Sequence, residues 1–232
     1  MIYGAKPIGT VAYLGGLMAV PEAFTWCWGQ MIQYNTEYLC EPGQRIQYER
    51  ATISFHAAAR NDLVTRMRGN WLLQLDTDLT FEPDVVARLV AVLERNPDIH
   101  VVTGLYQHKG PPHSPVLYLA HEDGEHFVPL GKWEEREPPY LLPVASAGAG
   151  CLLVRRGVFD RMRDELHEAP FDILPPFGED HSFFKRLKRL GLHAYCAPYI
   201  HAHHLQVRPV SMDAYETQDL TFSEPIRVGG ES

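Results

Sequence analysis

The chain has 232 residues, with 21 Lys and Arg against 29 Asp and Glu, a formal charge of −8; 45% of residues are hydrophobic and 22% charged. That balance excludes a disordered or fibrous chain, and the length suits one core or two smaller ones. The acidic total argues against general nucleic-acid affinity, which needs Lys and Arg on phosphates, but leaves room for one local basic groove.

In chain order, Thr10–Leu14 reads as a strand ending at Gly15-Gly16, and Pro21 opens a helix to about Leu39. A second strand spans Arg45–Glu49, and residues 56–68 suit a helix stopped by Gly69-Asn70. Trp71–Leu75 is a buried strand running straight into Asp76-Thr-Asp78. Pro83 starts a helix in which Val85, Val86, Leu89, Val90 and Leu93 repeat at helical spacing, and Ile99–Thr103 is another strand. This alternation predicts an α/β fold with a mainly parallel sheet flanked by helices.

The middle differs. Val116–Ala120 and Phe127–Leu130 flank a hairpin tip at His121–His126, with Asp-Gly at the turn. A polar stretch (131–139), the small residues Ser146–Gly150 and a strand at Cys151–Val154 follow. Gly157–Leu166 is a short helix, Phe177-Gly-Glu-Asp180 leads into a basic amphipathic helix ending at Gly191, and the last strand is His193–His201. The expected division is one domain over 1–206 and a polar tail over 207–232, acting as a lid, a dimer contact or a disordered end. Cys27, Cys40, Cys151 and Cys196 form no CxxC pair, which excludes a zinc-finger pattern and fits reduced thiols in a cytoplasmic protein. No run approaches the roughly 20 apolar residues of a membrane span, and the N-terminus does not read as a signal peptide.

Four groups of residues carry chemistry. Asp76 and Asp78 follow a buried strand, where two carboxylates can share a hard divalent cation at the sheet edge that α/β folds use for ligands; a solvated turn is the alternative. Glu179 and Asp180 open a helix, whose dipole alone would favour them, or one of them is a general base. His201, His203 and His204 include candidate metal ligands, and strand alternation sends His204 to the face opposite the other two. Arg60, on the helix before the Asp76 strand, either reaches a phosphate through both arms of its guanidinium or makes a surface salt bridge. The His121–His126 cluster is better explained as an exposed hairpin tip than as a metal site.

In this order the chain resembles the GT-A glycosyltransferases, in particular the family-2-like group. The resemblance rests on Ala59-Arg-Asn61, Trp71-Leu-Leu-Gln-Leu-Asp-Thr-Asp78, Ala147-Gly-Ala-Gly-Cys-Leu-Leu-Val-Arg-Arg156, Phe177-Gly-Glu-Asp-His-Ser-Phe-Phe-Lys-Arg186 and a late histidine, across residues 8–206. It implies a GT-A fold with a smaller antiparallel element. It also implies transfer of a hexosyl or pentosyl group from a nucleotide-sugar to an acceptor hydroxyl, with Mn2+ or Mg2+ as cofactor. Under it Asp76 and Asp78 hold the metal and diphosphate, with His204 or His203 as a further ligand. Arg60, Glu49 and Gly150 join the donor site, Asp180 is the base of an inverting reaction, and Glu179 helps to bind the acceptor.

Small stand-alone enzymes of this kind occur in bacteria and bacteriophages, so the acceptor is a glycan, a small molecule or a modified DNA base. For DNA, Arg60, Arg66, Arg68, Lys185, Arg186, Lys188 and Arg189 would supply a basic track. A monomer or homodimer is expected. The first strand departs from the family's Pro-Thr-x-Asn, reading Ala12-Tyr-Leu-Gly-Gly-Leu-Met-Ala-Val-Pro21, so the donor's base stays open. A metal-dependent nucleotidyltransferase or phosphohydrolase, and an inactive sugar-nucleotide-binding protein, are the alternatives.

Overall fold

The computed structural model describes residues 5–15, 20–131 and 138–206. The turn at Gly16, most of the polar stretch after Gly131 and the 207–232 tail lie outside the described residues. Eleven strands and five helices are described: β1 (Lys6–Leu14), α1 (Glu22–Tyr34), β2 (Gln44–Ala51), α2 (His56–Arg66), β3 (Trp71–Asp76), β4 (Leu79–Phe81), α3 (Val85–Arg95), β5 (Val101–Leu105), β6 (Leu117–Ala120), β7 (Phe127–Pro129), β8 (Leu142–Val144), β9 (Ser146–Ala147), β10 (Cys151–Arg155), α4 (Arg156–Arg161), α5 (Glu179–Arg189) and β11 (Ala194–His204). Single π-helical turns, Asn35–Leu39 and Met162–Leu166, extend α1 and α4.

The central sheet runs β2-β1-β3-β10-β5-β11-β4, with β8 also paired to β11. β2, β1, β3, β5 and β11 point the same way, while β10, between β3 and β5, is antiparallel to both. A second, antiparallel sheet, β7-β6-β9, stands beside it. The expected α/β architecture with a smaller antiparallel element is therefore present.

Strand alternation divides the core between two faces. Leu73, Leu75, Val102 and Leu153 pack with α1 and α3 on one face, and Leu72, Val101, Leu152 and Val154 pack with α2, α4 and α5 on the other. Being covered on both sides is why these strands read as continuous apolar runs. On α3, Val85, Val86, Leu89, Val90 and Leu93 are all buried, as their spacing predicts.

Several boundaries differ from expectation. α2 ends at Arg66 rather than at 68, because Met67 already leaves the helical region (φ −56°, ψ 146°) and the Thr10 hydroxyl accepts from the Arg68 amide at 2.7 Å and donates to the Arg68 carbonyl at 2.8 Å. β5 sits two residues later than expected, and β11 continues to His204 because β4 pairs with its end, His203 against Thr80 and His204 against Leu79. β4, β8 and β9 are two or three residues long and show no period that sequence alone could reveal.

Candidate active site

Because β3 is parallel to β1 and antiparallel to β10, the end of β3 and the start of β10 meet at one edge of the sheet. There Asp76 pairs with Leu14, and the Asp76 amide donates to the Gly150 carbonyl at 2.9 Å. The overrun of β11 brings His204 to the same edge, where the Leu205 amide donates to the Asp78 carbonyl at 2.7 Å. The N-terminus of α5, with Glu179 and Asp180 in its first turn, closes the arrangement. It is fixed by Ser182, whose hydroxyl donates to the Gly178 carbonyl at 2.7 Å and accepts from the Leu174 amide.

Arg60 organises this edge. Its buried guanidinium donates to Asp76 Oδ1 (3.0 Å), Gln74 Oε1 (3.0 Å), the Ala149 carbonyl (3.1 Å) and Glu179 Oε1 (3.4 Å). Burial works against its charge, but Asp76 and then Glu179 outweigh this and hold its pKa above the ordinary value. Four of its five N–H groups have protein acceptors, which gives Arg60 an internal role that neither a phosphate contact nor a surface salt bridge describes. Gln74 completes the network, although its buried Nε2 has no partner.

Tyr106 lies beneath. Its hydroxyl accepts from the Gly150 amide at 3.0 Å, and its ring meets His204 edge-on at 5.2 Å. Burial and the nearby Asp76 carboxylate push its pKa well above the usual value, so it stays a neutral phenol. A Cβ on Gly150 would lie 2.9 Å from Asp76 Oδ2, and one on Gly148 would lie 2.1 Å from the Tyr106 hydroxyl. The small residues expected to let substrate approach therefore first make room for Asp76 and Tyr106. Gly150→Ala should displace the Asp76 carboxylate at a cost of about 1–3 kcal/mol, read as a lower melting temperature.

The expected site residues are not all brought together. Asp78 takes the Lys109 ammonium on Oδ2 and has His204 Nε2 at 3.9 Å from Oδ1. The His204 Nδ1–H donates to the Gln107 carbonyl, which leaves the Nε2 lone pair facing Asp78. His203 is turned away, its ring parallel to that of His201 at 6.3 Å, so the strand alternation that separated these rings also removes His203 from the candidate ligands. Glu49 does not join the edge either. Its carboxylate accepts from Arg66 of α2 and from Gln47 at 2.7 Å, one strand beyond β1.

On the other side of Arg60, Asp180 is raised above the usual carboxylate range by burial, against the opposing pull of the His181 imidazole and of the His181 amide donating to Oδ1 at 2.7 Å. The His181 ring is held by Ser146 Oγ (2.7 Å), stacks on Phe127 (5.0 Å) and meets Tyr118 edge-on (4.7 Å), tying α5 to the small sheet.

Gln74, Tyr106, Lys109, Ser146 and His181 were not foreseen. Only Gln74 carried a signal, as the single polar residue in an apolar strand. At the hairpin tip, His121 and His126 both turn to Asp123; of the basic track, Arg60 and Arg186 are buried, Arg66, Lys185 and Arg189 pair with Glu49, Glu125 and Glu168, and Arg68 and Lys188 stay exposed.

Asp76, Asp78 and His204 offer two hard carboxylates and one imidazole, ligand types that a divalent ion takes together with phosphate and water oxygens. Among the described residues no three His, Cys, Asp or Glu side chains converge to hold an ion unaided. Instead each aspartate has a protein cation: Arg60 on Asp76 and Lys109 on Asp78. The Lys109 pair is 47% and 39% exposed, so it contributes at most about 1 kcal/mol.

A mixed sheet with one reversed central strand, an Asp-x-Asp at its edge and a small antiparallel sheet alongside defines the GT-A class of glycosyltransferase. The family model for glycosyl transferase family 2 matches residues 33–163, more than half of the chain. The chain belongs to that family, its activity is glycosyl transfer, and the nucleotidyltransferase and phosphohydrolase alternatives fall away. Many solved structures share the fold, among them the following two. A197 from STIV is 17% identical, with a TM-score of 0.53 over 85% of this chain and 86% of its own. GalNAc-T7, solved with UDP, GalNAc and Mn2+, is 13% identical, with a TM-score of 0.55 over 97% of this chain. The match spans 46% of the length of GalNAc-T7. No curated protein sequence matches the chain. Among the described residues no helix is long and apolar enough to cross a membrane.

Proposed function

We propose that the chain moves a sugar from a nucleotide-sugar to an acceptor hydroxyl with inversion at the anomeric carbon, using Mn2+ or Mg2+. The observation that carries this reading is the span of Arg60, which reaches Asp76 on one side and Glu179 on the other, so that one side chain links the metal-side and acceptor-side carboxylates. Asp76, Asp78 and the His204 Nε2 would hold the ion. Bound there, a divalent cation stabilises the charge that grows on the departing nucleoside diphosphate.

Asp180 accepts the proton of the acceptor hydroxyl at its carboxylate oxygen. Burial supports this role by making it a stronger base than an exposed aspartate. Glu179, anchored by Arg60, orients acceptor hydroxyls. The paired and buried state of the basic residues on α2 and α5 favours a glycan or small-molecule acceptor over DNA.

A panel of nucleotide-sugars with and without Mn2+ tests the reading: one donor should raise the melting temperature only when the metal is present. Asp78→Ala should weaken Mn2+ binding by more than the roughly 10–100-fold that outer-shell changes cost. Donor binding with no metal dependence would sink the proposal.

A further inference from the structure

The two cations at the Asp-x-Asp differ in one respect, which is whether they can leave. Arg60 is buried, with four of its five N–H groups engaged, so Asp76 keeps it. Lys109 is half exposed, and Asp78 is the acceptor of its ammonium. The Lys109 backbone is held from behind: Gln206 Nε2 donates to its carbonyl, the His108 amide donates to the Ser114 carbonyl at 2.9 Å, and the His204 ring holds the Gln107 carbonyl. The backbone is fixed and the four-carbon side chain is not, so the ammonium can move several bond lengths without leaving the site.

We propose that Lys109 is an exchangeable counter-ion of the donor site, neutralising Asp78 until a divalent ion takes that carboxylate and then pairing with the diphosphate of the nucleotide-sugar. This rests on the donor-site reading above. Lysine and metal compete for Asp78, whose oxygens cannot serve both at full strength. Once displaced, the ammonium lies beside a diphosphate that gains negative charge as the sugar departs, and a compact ammonium binds phosphate well as a point charge. Lys109 makes and breaks no covalent bond. The two steps therefore respond to its removal with opposite signs.

The test compares the whole chain with Lys109→Met in two titrations: Mn2+ alone, by electron paramagnetic resonance or calorimetry, and UDP, GDP, ADP and dTDP at saturating Mn2+. Without its competitor, Asp78 should bind Mn2+ alone about two- to fivefold more tightly. The preferred diphosphate should bind roughly tenfold more weakly, and Lys109→Arg, which keeps the charge, should recover most of that loss. Unchanged Mn2+ affinity, or unchanged diphosphate affinity, overturns the proposal. Failure of the unmodified chain to bind Mn2+ overturns the donor-site reading itself, and this inference with it.

Discussion

Arg60→Met should lower stability by about 3–5 kcal/mol, the usual cost of stripping one partner from a buried ion pair. Methionine fills much of the volume but leaves Asp76 and Glu179 facing each other without a cation, and Gln74 Oε1 and the Ala149 carbonyl without donors. For a chain of this size that is a fall of roughly 6–20 °C in melting temperature. The defect should be worse at neutral than at acidic pH, because protonating either carboxylate relieves the repulsion. Thermal melts from pH 4 to pH 8 check this; a loss that ignored pH would mean that Arg60 matters for packing on Phe171, 6.0 Å away, rather than for charge. Arg60→Lys should rescue little, since a lysine cannot place four donors in fixed directions.

Asp180→Asn should cost at least about 10^2–10^4-fold in turnover, the range of a lost general base, while nucleotide-sugar binding stays within a few-fold of the unmodified chain. Its effect on stability has the opposite sign. A carboxyl whose folded-state pKa is raised favours the fold when protonated, and that contribution is lost as pH rises through the folded value. Above its folded-state pKa the ionised Asp180 therefore works against the fold, and there the neutral amide should melt higher. For the same reason the acid limb of the rate profile should fall at a pH above that of an ordinary aspartate. Equal losses in donor affinity and in turnover would deny Asp180 the role of base.

What was legible in the sequence was what is local. The buried strand before Asp76, the apolar stripe of α3 and the acidic start of α5 each depend on residues a few positions apart. His204 could be set apart from His201 and His203 because strand alternation is a property of the backbone. The short strands β4, β8 and β9 exist only because distant partners lie beside them. The internal network of Arg60 was hidden for a related reason. Its acceptors lie 14, 16, 89 and 119 positions away, and no spacing rule reveals that they converge. Lys109 and Asp78 are 31 positions apart and were equally invisible.

The reversal of β10 has a consequence for how this enzyme can change. Since β5 and β10 are antiparallel neighbours, the chain leaves β5 after Leu105 and returns beside it at Cys151, as an overgrown hairpin connection that touches the central sheet on the way where β8 pairs with β11. That excursion contains the small sheet, Tyr106 and Lys109, yet its two ends are clamped by adjacent strands. Lengthening such a loop costs little closure entropy, about 0.6 kcal/mol per doubling. The hairpin of β6 and β7 is therefore where length can change most cheaply, whereas the return to β10 cannot be exchanged so freely, because the Ala149 and Gly150 carbonyls accept from Arg60 and from the Asp76 amide.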